Sequence, residues 1–173
     1  MWALGALFAA LVIGAIMLGQ SGALSNLGYT ASGTEVAAAQ TKTIADSIKQ
    51  VLGGAGGAGV ANFTGLSNSL AIKLGSVPSN MTNGDGQTIT GAWSSAISIT
   101  GSGDGNTFYV LWQAVPSTSC AKLAVSQSVN GVLINGNWVA RTVSNFPASV
   151  AALCNQGVNS FSSVSFSFVM NYN

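Results

Sequence analysis

The segment from Met1 to Leu18 constrains the folding of this chain most strongly, because it contains no charged side chain. As an α-helix rising about 1.5 Å per residue, the segment would be roughly 27 Å long, close to the thickness of a bilayer's hydrocarbon core. The first charged residue is Glu35, and the remainder is rich in Gly, Ser, Thr and Asn. We therefore predict two domains, an apolar helical stem over residues 1–30 and a globular head over residues 31–173.

Three origins of the apolar segment are open. A secretory signal peptide begins with a basic region, whereas residues 1–18 contain no Lys or Arg. A plain membrane anchor is usually flanked by Lys or Arg, which set its orientation, and these are missing as well. We prefer the third interpretation and expect Met1 to be a processed N-terminus, exposed when a basic leader is removed.

The composition excludes several functions for the head. Only 5% of the 173 residues are charged and the net charge is +1, which argues against a nucleic-acid binder that neutralises many phosphates. The chain has no His, four acidic residues and two Cys, so we expect no enzymatic activity, no cofactor and no metal centre. Low charge with 48% hydrophobic residues instead suits a subunit that packs against copies of itself.

The two cysteines and two Asp-Gly loops are the remaining candidates for special chemistry. Cys120 and Cys154 form an even pair in a head that is expected to be exported, which favours one disulfide over two buried thiols. The loops around Asp85 and Asp104 could suggest calcium. Each supplies a single carboxylate, however, and ordinary turn chemistry explains both better.

Between Glu35 and Leu52 apolar residues recur at spacings of three and four, which predicts an amphipathic helix over 35–52. The stripe expected to face the sheet consists of Val36, Gln40, Ile44, Ile48, Val51 and Leu52. A connecting loop over 53–87 follows, with a glycine-rich start and room for a short helix or turn between Phe63 and Leu74.

Residues 88–173 are predicted to form a C-terminal sheet with two short helices between its strands. Alternating β-branched and aromatic residues predict strands over 88–100, 107–115, 132–142 and 160–172, and an Asn-Gly turn or bulge lies inside the third. Helices are predicted over 120–129, opening at Ser117 or Ser119, and over 146–154, where Pro147 suits the first turn. The predicted fold class is α+β.

Several segments together resemble a type IV pilin. An apolar helix that begins at Met1 continues into an amphipathic helix, a sheet follows, and two cysteines bracket part of the C-terminal half. The segments LSNSLAIKLGSVPSNMT (66–82), GAWSSAISI (91–99) and TFYVLWQAVPSTSCAKL (107–123), with the late Cys154, are similar to the type IVb class, and most of all to the PilS pilins of conjugative and enterobacterial pili.

The resemblance implies a long N-terminal α-helix packed on an antiparallel β-sheet, in a major pilin that polymerises into an extracellular filament on a Gram-negative cell. It implies an inner-membrane precursor, which a prepilin peptidase cleaves ahead of Met1 and N-methylates, and which the assembly machinery polymerises. Conjugation, adhesion or cell–cell contact are the implied roles. The alternatives are a minor or tip pilin, a secretion pseudopilin, or a membrane-anchored binding module.

The resemblance fails at one position of the stem. Such pilins usually carry Glu at the fifth position of the mature chain, where it can pair with a neighbour's N-terminal amine, and this chain has Gly5. Small residues at spacings near four let apolar helices approach closely. We therefore expect the stems to pack in a filament core through Gly5, Ala9 and Gly14, with Trp2, Phe8 and Leu11 filling the gaps between them.

Overall fold

The computed structural model describes residues 32–53, 62–155 and 160–169. From Gly33 onward the chain forms one compact unit. Within the described residues the α-helices are α1 (Gly33–Leu52), α2 (Asn68–Lys73), α3 (Ser117–Ser126) and α4 (Phe146–Cys154). The strands are β1 (Ile89–Thr90), β2 (Ala96–Gly101), β3 (Thr107–Pro116), β4 (Gly131–Ile134), β5 (Asn137–Ala140) and β6 (Phe161–Val169).

The strands form one sheet in the order β1-β2-β3-β6-β4-β5, and every neighbouring pair is antiparallel. The last strand of the chain, β6, lies between β3 and β4 near the centre of the sheet. This arrangement confirms the predicted α+β class. The division into a stem and a head stays a prediction, since residues 1–31 lie outside the described part of the chain. Among the residues that are described, no helix is long and apolar enough to cross a membrane.

Helix α1 begins at Gly33, two residues before the predicted start, and buries a different face from the one predicted. Ile44 and Ile48 are buried as expected, but Val36 and Val51 are exposed. The buried positions are Thr34, Ala37, Thr41, Ile44, Ala45 and Ile48. The predicted stripe was wrong at its ends, because the face that packs on the sheet is centred on the polar residue Thr41 rather than on the largest apolar side chains.

Thr41 is buried because it joins α1 to the middle of the sheet. The indole Nε1 of Trp112, in β3, donates a hydrogen bond of 2.9 Å to Thr41 Oγ1. The same hydroxyl donates to the backbone oxygen of Ala37 at 2.8 Å. Trp112 is completely buried, so its N–H has no access to water and depends on this acceptor.

The predicted strand over 88–100 is split into β1 and β2 by a short 3-10 turn, Ala92–Ser94. Trp93 and Ser94 have positive φ angles of 58° and 56°, a conformation that is unfavourable for residues other than glycine. The turn lifts Trp93 out of the sheet, so that its indole packs directly over Gly33 and edge-on against Trp112, with ring centroids 6.1 Å apart. The strand is interrupted because this loop packs against α1.

The C-terminal elements follow the sequence prediction closely. The predicted helix over 146–154 has the bounds of α4, and the helix predicted over 120–129 is shifted to α3, which opens at Ser117. The Asn135-Gly136 turn joins β4 to β5, and both residues have the positive φ that two-residue hairpins require. In β6 the alternation of apolar and polar residues is interrupted between Phe161 and Val164. The pairing register of β6 against β3 shifts at the same place.

The buried acceptor of the Trp112 indole provides a stability test. We expect Thr41→Val to lower the free energy of unfolding by about 1–3 kcal/mol, because it leaves a buried N–H without a partner. Thr43→Val is the matched control, since Thr43 is exposed on the same helix, and it should change stability by less than about 0.5 kcal/mol. Urea unfolding followed by tryptophan fluorescence measures both. Equal stabilities for the two variants would contradict the role given to Thr41.

Candidate functional site

The sheet has an inner face that packs on the helices and an outer face that does not. Along β3, Phe108, Val110 and Trp112 are buried inward, while Tyr109 points to the outer face and is exposed. Tyr109 lies beside Ser167 of β6, and Ser167 lies beside Gly131 of β4. Ser167 and Gly131, which are both small, therefore follow Tyr109 across the outer face of the sheet.

A groove of about 400 Å³ lies over Ser167 on this face. We call it the outer groove, and its lining residues are Thr107, Tyr109, Asn130, Leu133, Trp138 and Ser167. Tyr109 borders it on the β3 side and Trp138 on the β5 side. Strands β3, β4, β5 and β6 bring together residues from Thr107 to Ser167, so only the folded sheet forms this site.

The position of Trp138 is fixed by a glycine on the neighbouring strand. A Cβ atom on Gly131 would overlap the six-membered ring of the Trp138 indole, so the ring rests on the Gly131 backbone. Even so, half of the Trp138 surface is exposed, at 50%. An exposed indole that packs on the backbone is held in one place and presents a preformed apolar surface.

A second groove of about 330 Å³ lies where α1 meets the end of α3 and Phe168 of β6. Its lining on the helix alternates small and charged side chains, among them Ala38, Lys42, Asp46 and Lys49. Lys42 and Asp46 form an exposed ion pair one turn apart. The Lys49 ammonium lies 5.4 Å from the centroid of the Phe168 ring.

The predicted disulfide between Cys120 and Cys154 is present, and both residues are buried. Their Cα atoms are 5.7 Å apart, and the bond joins the first turn of α3 to the end of α4. Ser162 Oγ, at the start of β6, donates to the Cys154 carbonyl at 3.2 Å. The disulfide therefore ties the two C-terminal helices to each other, and the Ser162 hydrogen bond connects the end of α4 to β6.

The two Asp-Gly loops use their carboxylates internally. Asp85 accepts hydrogen bonds from the backbone N–H groups of Gln87 and Thr88 and from the Thr88 hydroxyl, and these bonds hold the pKa of Asp85 well below its ordinary value. Hydrogen bonds from Ser102 and Asn106 lower the pKa of Asp104 in the same way. Within the described residues, no group of three or more His, Cys, Asp or Glu side chains could hold a metal ion.

The predicted processed terminus and filament-core residues all lie outside the described residues, and their roles stay predictions: Met1, Trp2, Gly5, Phe8, Ala9, Leu11 and Gly14. Sequence reasoning missed both the Thr41–Trp112 contact and the outer groove. A signal for the groove was available, because Tyr109 alternates with Phe108 and Val110 in β3 and must therefore point to the other face.

An amphipathic helix of 20 residues packs on an antiparallel sheet, and a disulfide joins the two C-terminal helices, which gives an α+β head consistent with a pilin-like fold. The family model described as PilS N terminal matches residues 31–168. The chain therefore belongs to the PilS family and is a subunit related to type IV pilins. No curated protein and no solved structure gave a significant match. The predicted resemblance to PilS pilins is confirmed, and the type IVb class stays a prediction.

The disulfide generates a second stability test. The bond closes a separation of 34 residues, and a loop of that size stabilises a fold by about 3–4 kcal/mol in the chain-entropy model. We expect a variant carrying both Cys120→Ser and Cys154→Ser to lose about that much in urea unfolding. Reductant is the control: it should destabilise the wild type equally and leave the variant unchanged. A variant as stable as the oxidised wild type would contradict the prediction.

Proposed function

We propose that this chain is the major subunit of an extracellular type IV pilus of the type IVb class. The observation that carries the proposal is the family match, which spans the whole described head from α1 to β6. The filament serves conjugation, adhesion or cell–cell contact. The proposal includes no enzymatic activity, in keeping with a chain that has no His and four acidic residues.

The chemistry of the chain supports self-assembly. The apolar segment from Met1 to Leu18 needs lipid or other apolar helices around it, and polymerisation transfers it from the first to the second, so that its burial is conserved. A head with few charges can pack densely against copies without strong repulsion. The small side chain of Ala39, which is exposed on α1, allows a neighbour to approach closely.

The proposal includes a precursor in the inner membrane of a Gram-negative cell. A prepilin peptidase removes its leader and N-methylates Met1, after which the membrane assembly machinery adds the subunit to the filament. The support for these steps is the family and the uncharged N-terminal segment.

A minor or tip pilin is the second candidate, and Gly5 favours it. Without a carboxylate at that position the stem cannot form the ion pair expected of a polymerising pilin. Immunogold electron microscopy of native filaments distinguishes the candidates. A major pilin is labelled along the whole filament, and deletion of its gene removes the filament. Label confined to the tips, on filaments that persist without the chain, would overturn the major-pilin proposal.

The stem itself provides a further test. If close approach of helices through Gly5 and Ala9 replaces the missing ion pair, Gly5→Leu should reduce the filament yield by at least about tenfold, because a bulky side chain separates the helices. Gly5→Glu restores the usual residue and should keep filaments. The yield is measured by shearing cells that contain equal amounts of precursor, checked by immunoblot. Normal filaments from Gly5→Leu would show that close packing at this position is not needed.

A further inference from the structure

We propose that the outer groove is a binding site for a neutral saccharide. This goes beyond the proposed function, since it concerns the outer face of the head and does not depend on filament assembly. The groove has the size of a small-molecule site, at about 400 Å³. Its lining combines two aromatic side chains with hydroxyl and amide groups, which is the composition that recognises a ring with apolar C–H faces and polar edges.

The sheet places Tyr109 and Trp138 on two sides of the groove, with Ser167 between them. Tyr109 and Gly131 flank Ser167 on neighbouring strands, so two strand spacings, about 10 Å, separate their backbones. Trp138 reaches across β4 to cover Gly131. Since Trp138 covers Gly131 and Ser167 is almost fully buried, the groove lies above Ser167, between Tyr109 and Trp138.

The rings are ready to bind without reorganisation. Trp138 rests on the Gly131 backbone, which restricts its motion, and half of its surface still faces outward. Tyr109 is also exposed, at 36%. The electron-rich face of an aromatic ring attracts weakly polarised C–H groups, which sugar rings present on one side. Preorganised rings reduce the entropic cost of binding.

The polar groups of the groove provide hydrogen bonds but no charge. Thr107, which is partly exposed, carries a hydroxyl and Asn130 carries an amide, while Ser167 is almost fully buried; none of the lining residues is Asp, Glu, Lys, Arg or His. An anionic ligand would find no cation here, and a cationic ligand would find no carboxylate. The neutral lining therefore selects a ligand without net charge.

The side chain of Asn130 is an independent observation, because one of its polar atoms has no hydrogen-bond partner among the described residues. Its Oδ1 is buried, and no described residue donates a hydrogen bond to it. Buried polar atoms in folded proteins almost always have a partner, so an exception requires one. Asn130 lines the groove, and a side-chain amide carries both an acceptor and a donor, which are the two groups that a sugar hydroxyl pairs with.

The polar floor argues against a second copy of this chain as the occupant. Contacts between copies concentrate binding energy in a dry apolar centre surrounded by polar groups. The outer groove has the reverse arrangement, with Ser167 at its centre and the apolar rings at its edges. A thin ligand that carries its own hydroxyls matches this arrangement better than an apolar side chain does.

Saturation-transfer-difference NMR on the full-length protein, held in a detergent without a sugar headgroup, tests the proposal. The probes are neutral trisaccharides of glucose, galactose, mannose and N-acetylglucosamine, and a sulfated heparin disaccharide as the charged comparison. We expect saturation transfer to at least one neutral probe and none to the sulfated one. Absence of transfer to every neutral probe overturns the proposal, and so does equal transfer to the sulfated disaccharide.

Variants identify the site. Trp138→Ala should weaken binding of the active trisaccharide by at least about tenfold, because it removes one ring surface. Phe161→Ala is the matched control, since Phe161 is an equally exposed aromatic residue, at 49%, outside the groove. Asn130→Ala should also weaken binding, while its thermal unfolding stays close to that of the wild type. Binding that survives in Trp138→Ala contradicts the assignment.

Two further measurements separate this proposal from the others. Sedimentation of the wild type and Trp138→Ala in the same detergent reports contacts between copies. If Trp138→Ala dissociates an oligomer and no trisaccharide binds, the groove is an interface between copies and the saccharide proposal is wrong. Filament yield of Trp138→Ala should equal that of the wild type, so that failure of saccharide binding and failure of assembly are observed independently.

Discussion

The placement of α1 on the sheet depends on the hydrogen bond from Trp112 Nε1 to Thr41 Oγ1. Hydrophobic contacts alone would tolerate small rotations of the helix, because apolar burial has no preferred direction. A buried N–H has only one acceptor here, and a rotation that moves Thr41 away leaves it unsatisfied at a cost of about 1–3 kcal/mol. One directional bond thus selects which face of α1 is buried.

The neighbouring contacts reinforce the same orientation. Gln40, adjacent to Thr41, accepts a hydrogen bond from the backbone N–H of Ala92 at 3.0 Å. That bond holds the turn in which Trp93 takes its unfavourable backbone conformation, at a typical cost of about 1–3 kcal/mol for such a residue. Trp93 covers Gly33, where a larger residue would collide with the indole. The N-terminal half of α1 is therefore held by Trp112 of β3 and by the side chain and backbone of the loop before β2.

The parts of this fold that could be predicted from sequence are those decided by local residues. The bounds of α4 follow from Pro147 in its first turn, and the hairpin between β4 and β5 follows from Asn135 and Gly136, whose backbone preferences are intrinsic. The buried face of α1 was mispredicted because Trp112, 71 residues away, determines it. The outer groove was missed for the same reason: its aromatic borders come from strands that become near neighbours only in the folded sheet.

The residues of β6 contribute both to the core of the head and to the outer groove. Phe166 and Phe168 point inward and fill the core, whereas Ser165 and Ser167 point outward. The outer serines are nevertheless almost fully buried. A central strand with large inner and small outer residues produces a well-packed core and a depression above it at once. The alternation of Phe and Ser that stabilises the sheet therefore also creates the groove.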